Sequence, residues 1–226
     1  MTDAQSNGFP EELVTILDPA GVASEAYRIV RNNLFYAQVG SPPKVIVLTS
    51  VGPGEGKTTT VANLGVTLVE AGKNTLVLDC SLRNSRLHTM FGAPNTKGLI
   101  DILMGNNKAQ EVWQEPVPGL KLICTGPSPL YPGEFLNSQR LVTFLDETRR
   151  VFDYVLVDIP PVGVSESAPL AANGDAVLLI LDAQRTREGS LRRALHSLQG
   201  VGANVLGTIV NKADVPTYEH LYGYGS

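Results

Sequence analysis

An α/β fold with a mostly parallel sheet lying between layers of helices is predicted by three observations on the 226-residue sequence. Six short apolar runs recur along it, at 44–49, 75–79, 120–124, 154–158, 176–181 and 205–210. They are continuous rather than alternating, so each expected strand is covered on both faces, which is the pattern of a parallel sheet. Helical stretches separate most of them, as crossovers between parallel strands require. The third observation is a glycine-rich turn at 50–60, wedged between the first apolar run and a helical one.

In chain order, residues 1–18 are polar and then weakly apolar around 13–17, an arm that is ordered only by docking on the rest. Residues 21–38 are expected to form a helix. Ala26, Ile29, Val30, Leu34 and Phe35 make its apolar stripe, and Glu25, Arg28 and Arg31 follow at three-residue steps on the polar side. Periodicity alone makes this a solvated amphipathic helix with i,i+3 pairs. The strand at 44–49 leads into Ser-Val-Gly-Pro-Gly-Glu-Gly-Lys-Thr-Thr-Thr at 50–60. A helix at 58–71 carries Val61, Leu64, Leu68 and Val69 and stops at Gly72. Residues 127–133 form a proline-rich connection before one further helix at 134–150. The last residues, 215–226, hold Tyr218, Tyr222 and Tyr224 in a glycine-containing stretch with too little apolar content to bury them, so this cluster is a candidate substrate.

The chemistry centres on the turn. A nucleotide triphosphate is wrapped by backbone N–H groups, and side chains would hold the backbone away; Gly52, Gly54 and Gly56 remove them. Because the turn opens a helix, the positive end of the helix dipole faces the anion. Lys57 then reaches the β- and γ-phosphates, and the Thr58 hydroxyl is placed to hold magnesium. Pro53, Glu55 and Thr59 complete the candidate ATP-binding stretch. Asp79 closes the second apolar run and Asp158 the fourth, and ligands of parallel sheets sit at the carboxyl ends of the strands. The two carboxylates therefore converge on the phosphate site as candidate catalytic and metal-holding groups, with Lys57 and Thr58. Either aspartate alone reads equally well as a helix cap; the pair beside the turn carries the assignment. Asn211, which follows the last run in Asn211-Lys212-Ala213-Asp214, is a candidate contact for the adenine edge, on weaker grounds because polar turns commonly follow strands.

Bulk properties set the frame. With 18 Lys and Arg against 22 Asp and Glu, a net charge of −4 argues against a nucleic-acid partner. The length fits one domain spanning 1–226. No apolar run approaches the roughly 18 residues of a bilayer-spanning helix, and residues 1–12 lack the core of a signal peptide, so a cytoplasmic protein is expected. Cys80 and Cys124 lie in or beside strand-like runs and read as buried thiols rather than a disulfide or zinc ligands. His88, His196 and His220 are scattered and read as structural or solvated.

Taken together, these pieces resemble the bacterial tyrosine kinases of capsule and exopolysaccharide assembly in their cytoplasmic form, along nearly the whole chain. Pro-Gly-Glu-Gly-Lys-Thr at 53–58 is similar to that family's first Walker motif, Leu76-Val77-Leu78-Asp79 to the start of its second, and Tyr154-Val155-Leu156-Val157-Asp158-Ile159-Pro160-Pro161 to its Walker B segment. Glu25, Arg28, Arg31 and Asn33 match its Glu-x-x-Arg-x-x-Arg-x-Asn element, and Gly126-Pro127-Ser128-Pro129 with Pro132, Glu134 and Phe135 its proline-rich segment. The first motif is a variant: Val51 stands where the standard consensus has glycine, and Gly52 where the related septum-placing and chromosome-partitioning ATPases carry a second lysine.

The resemblance implies a P-loop NTPase fold with a deviant Walker A loop, and ATP with magnesium as cofactors. It implies transfer of the γ-phosphate to Tyr218, Tyr222 and Tyr224 of an adjacent subunit, with Asp79 as base. In the family, the Glu25 to Asn33 element docks each subunit onto its neighbour in a ring, so residues 1–40 become arm and oligomerisation helix and 215–226 the acceptor tail. A membrane-embedded activator of polysaccharide assembly and a cognate tyrosine phosphatase are the partners it implies, at the inner face of the membrane. One position departs. The family's Asp-x-Asp reads Asp79-Cys80-Ser81, so a carboxylate is missing and weaker magnesium affinity or slower transfer is expected. Arg83 follows as in the family, while Glu166 replaces the aspartate usual after Walker B. The rival readings are a partitioning-type ATPase and a nucleotide-binding scaffold that has lost catalysis.

Overall fold

The computed structural model describes residues 8–37, 42–128, 132–136 and 138–213. Its elements run α1 (Val14–Leu17), α2 (Val22–Tyr36), β1 (Val45–Ser50), α3 (Lys57–Glu70), β2 (Thr75–Asp79), α4 (Leu87–Met90), α5 (Leu99–Met104), α6 (Ala109–Val112), β3 (Gln114–Val117) and β4 (Leu120–Ile123). They continue with α7 (Pro132–Leu136), α8 (Gln139–Val151), β5 (Tyr154–Asp158), α9 (Ser167–Ala171), β6 (Ala176–Asp182), α10 (Glu188–Gly200) and β7 (Val205–Asn211). The strands form one sheet in the order β3-β4-β2-β5-β1-β6-β7. Every neighbouring pair is parallel except β3–β4.

The continuous apolar runs have the predicted cause. Along β1, Val45 and Val47 enter one core and Ile46 and Leu48 the other, and all six residues of the strand are buried. One core packs under α5, α8 and α10, the other under α2 and α3. Helix α3 lies close on the sheet at Gly65, where a Cβ would come within 2.8 Å of Val77 Cγ2.

Two expectations need correction. β3 was absent from the six expected strands, because Gln-Glu-Pro-Val contains a proline and little apolar surface; its place at the sheet edge, antiparallel to β4, is where a proline can be accommodated. The single helix expected at 134–150 is two, α7 and α8. Ser138 separates them, its hydroxyl accepting from Leu141 N at 3.4 Å as an N-cap and donating to Phe135 O at 2.6 Å.

The arm docks. Leu13 is fully buried, and Asn63 of α3 accepts from both Thr15 N (3.0 Å) and Thr15 Oγ1 (2.9 Å). The same amide donates to Glu12 O at 2.8 Å and to Thr59 O at 2.9 Å, so one buried side chain ties the arm to the helix that begins at the glycine turn. Asn63→Ala leaves the buried Thr15 amide without an acceptor, and is expected to lower stability by about 2–3 kcal/mol and Tm by about 5–10 °C in calorimetry.

Candidate active site

The glycine turn joins β1 to α3 as a tight phosphate-binding loop. Gly54 (φ +75°) and Gly56 (φ +90°) lie in the left-handed region, and a Cβ on Gly56 would stand 1.9 Å from Asn211 Nδ2, so both conformation and space demand glycine there. Ser50 Oγ donates to Gly52 O (2.8 Å), and Gly52 N donates to Glu55 Oε2 (2.8 Å). Gly56 is the N-cap of α3 and provides no capping side chain, which leaves the first-turn amides for an anion.

Asp158 lies fully buried at the floor of the site. Thr58 Oγ1 donates to its Oδ2 at 2.6 Å, and Lys57 Nζ stands 3.5 Å from Oδ1. Oδ1 accepts no hydrogen bond among the described residues. Burial, followed by the charge of Asp79, pushes the Asp158 carboxyl up to about 6, against the opposing pull of Lys57. Asp79 is its Cα partner in the parallel β2–β5 register. Its carboxylate accepts from Ser81 N (2.9 Å), Ser85 Oγ (2.8 Å) and Leu87 N (3.3 Å), and burial holds it above the usual range. Sequence reasoning weighed helix capping against chemistry for this residue; its carboxylate accepts from Leu87 N at the start of α4, and its Cα stands in register with that of Asp158.

Thr58, Asp79 and Asp158 are therefore brought together, as expected. A buried carboxylate oxygen that accepts no hydrogen bond, its charge faced only by Lys57 at 3.5 Å, and an adjacent hydroxyl suit a hard cation. The described residues contain no cluster of three or more His, Cys, Asp or Glu able to hold a metal by itself, so the donor set fits magnesium only with phosphate oxygens and water completing the shell. Both thiols are buried, that of Cys80 pushed far up by burial and the two aspartates and that of Cys124 raised to about 12, as inert groups should be.

Several supporting contacts escaped the sequence, which singled out Asn211, Arg83 and Glu166 on other grounds and passed over Thr186 and Asp182. Thr186 Oγ1 donates to Glu55 Oε1, and Asn211 Nδ2 donates to Glu55 O at 3.0 Å, so the loop is braced from the ends of β6 and β7. Lys212 Nζ bridges Gly54 O (3.0 Å) and Asp182 Oδ2 (2.7 Å), an ion pair that holds the Asp182 carboxyl below its ordinary range. Arg83 Nε meets Glu166 Oε1 at 3.1 Å, joining the two positions after the second motif and after Walker B. These partners lie far apart in sequence, and only strand order makes them neighbours.

On α2, Arg28 meets Glu25 (3.4 Å) and Glu70 of α3 (3.5 Å), while Arg31 Nη1 donates to Thr67 O at 3.1 Å. Asn33 lines a groove between α2 and β7. Tyr218, Tyr222 and Tyr224 lie outside the described residues.

A family model described as an AAA domain matches residues 43–204. EpsB of Ralstonia solanacearum is 39% identical over 210 residues, which make up 92% of this chain but 28% of EpsB, so the chain spans little more than a quarter of that relative. The tyrosine-protein kinase YwqD of Bacillus subtilis is 31% identical over 94% of this chain and 90% of its own length. The kinase domain of the Escherichia coli tyrosine kinase ETK aligns with a TM-score of 0.84 at 25% identity, over 95% of this chain and 84% of that one. Fold and site thus define a P-loop nucleotide-binding protein. The chain belongs to the bacterial tyrosine-protein kinase family that includes YwqD. Among the described residues no helix is long and apolar enough to cross a membrane.

The raised carboxyl has a consequence that can be read in stability. A folded-state value above the unfolded one means the native state binds the extra proton, so stability from this group is present at low pH and lost as pH rises through about 6. Asp158→Asn removes that dependence. In nucleotide-free protein the Tm of the variant relative to the parent is expected to climb by several degrees between pH 5 and pH 7.5 and then level off.

Proposed function

We propose that this chain is an ATP- and magnesium-dependent protein-tyrosine autokinase that transfers the γ-phosphate to Tyr218, Tyr222 and Tyr224 of a neighbouring subunit. The observation that carries the reading is the meeting of Lys57, Thr58 and Asp158 at the mouth of a glycine loop, with Asp79 in register beside them. Residues 52–59 wrap the triphosphate, and Asn211, whose carboxamide braces Glu55 O, is the candidate contact for the adenine edge. Lys57 draws charge from the γ-phosphate, and Asp158 keeps Lys57 and the Thr58 hydroxyl aimed at it. Magnesium, held through Thr58, Asp79 and Asp158, supplies neutralisation of the phosphate charge when bound. A tyrosine hydroxyl with a pKa near 10 needs a base, and the raised carboxyl of Asp79 is the group assigned to take its proton.

Residues 1–226 act in this reading as one unit, with arm and docking helix in 1–40 and acceptor tail in 215–226. Arg28 and Arg31 are tied to α3, which fixes the helix. Val22, Ile29 and Tyr36 recur at seven-residue spacing on α2 and are 49, 45 and 82% exposed, a stripe suited to a neighbouring subunit. A homo-oligomeric ring, a membrane-embedded activator of capsule or exopolysaccharide assembly and a cognate phosphatase complete the system, at the inner face of the membrane. Each phosphate adds roughly −1.5 to −2 of charge, so phosphorylated tails repel and loosen the ring.

Intact mass spectrometry after incubation with ATP and magnesium, with mapping of the tail, tests the reaction. Phosphate on Tyr218, Tyr222 or Tyr224, absent in Lys57→Met, is the expected result; no phosphate with ADP accumulating would indicate a partitioning-type ATPase. Ser81 favours a second reading, a scaffold that binds nucleotide without turnover, because it is buried beside Asp79 and brings no charge. Ser81→Asp is expected to raise the transfer rate about tenfold or more while lowering the Tm of nucleotide-free protein, since a third buried carboxylate joins two. Ile29→Glu is expected to yield monomers in light scattering with Tm unchanged, its side chain being exposed.

A further inference from the structure

We infer that a groove beside the phosphate loop, lined by Arg185, Arg187 and Arg193, binds a phosphotyrosine-bearing segment of a second copy of this chain; the inference rests on the autokinase reading. Two adjoining depressions share Val51 and Ser190 and make the groove. One runs from the loop flank at Gly52 and Pro53 past Arg185 and Arg187, and the other continues along α10 past Arg193.

Charge singles the groove out. Arg28, Arg83, Arg86, Arg149 and Arg192 each meet a carboxylate, and among the described residues Arg31, Arg140 and Arg150 meet none but lie apart on α2 and α8, whereas Arg185, Arg187 and Arg193 are exposed, meet none and stand together along one groove. The nearby carboxylates are already engaged: Glu55 by Gly52 N and Thr186, Asp182 by Lys212, and Glu188 by Arg192. Three guanidinium groups that form no ion pair among the described residues, of which Arg185 also acts at longer range on Asp182, thus stand along one groove of a chain whose net charge is −4. This local excess is not a by-product of a basic composition. Arg193 Nη2 also donates to Ser190 Oγ at 3.1 Å, which orients its fork over the groove.

Guanidinium forks match a phosphate dianion in bidentate geometry, and arginine clusters are a recurring means of reading phosphorylated side chains. An unmodified tyrosine offers such a cluster no charge. Arg185 Nη1 lies 3.8 Å from where a Cβ on Gly54 would stand, so one end of the groove adjoins the loop that presents the γ-phosphate. A tail phosphorylated at the loop has a short path into it. One groove neutralises one phosphate per subunit, whereas the tail carries three candidate acceptors, so the first modification is retained and later ones are left to repel.

The test is fluorescence anisotropy with a labelled synthetic peptide of residues 212–226, unmodified or phosphorylated at Tyr222, titrated with the full chain in the presence of ADP and magnesium. The phosphopeptide is expected to bind roughly tenfold tighter or more. Arg187→Gln with Arg193→Gln is expected to erase that preference while binding a fluorescent ATP analogue as the parent does. Equal affinity for the two peptides, or a preference that survives the double substitution, would overturn the inference. So would full displacement by inorganic phosphate at a few millimolar, which would mark an unselective anion patch. Binding to phosphatidylserine vesicles that the double variant loses, with no peptide preference, would overturn it in favour of a membrane surface. The peptide is phosphorylated chemically, so binding requires no transfer by the protein, and a failure of the kinase reading shows separately in the tail mass spectrum.

Discussion

A single carboxylate without access to water organises this molecule. Asp158 ends β5 between β1 and β2, and its two oxygens face Thr58 and Lys57, the first residues of α3. Burying a charge in that position is unfavourable unless partners face it, and here the partners come from the phosphate loop itself. The loop must therefore hold its shape for the carboxylate to be tolerated, and the carboxylate must be present for Lys57 to point inward. Asp79 raises the tension by standing beside Asp158 in register, which is why its own oxygens are filled by Ser81, Ser85 and Leu87.

The loop is braced from both flanks. On one side Glu55 is clamped between Gly52 and Thr186, and on the other Asn211 and Lys212 reach back to the backbone at Glu55 and Gly54. These contacts come from the ends of β6 and β7, so the order of strands around β1 decides which side chains surround the phosphates. The arm is coupled to the same helix through Asn63, one turn beyond Thr59. The arm, α2 and the phosphate loop thus all meet α3, which is their common element.

Ser81 gives the site its individual character. Where the wider family carries a second acidic residue, this chain keeps the fold of the turn, because Ser81 N still donates to Asp79, but removes one negative charge from an already crowded interior. Less repulsion among buried carboxylates favours the folded protein. The arginines beside the loop are unbalanced in the opposite sense, and they lie on the sheet face of α10 rather than that of α3.

How much could be read without coordinates follows from the range of each interaction. Six strands, the loop, the paired aspartates and α2 were legible because short-range patterns encode them: continuous apolar runs, glycines that admit positive φ, and helical spacing. β3 was not, since a proline-bearing edge strand has no apolar signature, and the break between α7 and α8 turned on one serine cap. Cys80 and Cys124 were read as buried thiols from their strand context, and they are. By itself, then, the sequence determined the fold class and the residues at the floor of the site. Only tertiary structure decided which distant side chains brace it. Thr186, Asp182, Lys212 and the Arg83–Glu166 pair meet across the sheet, and such pairings depend on strand order, which no local pattern records.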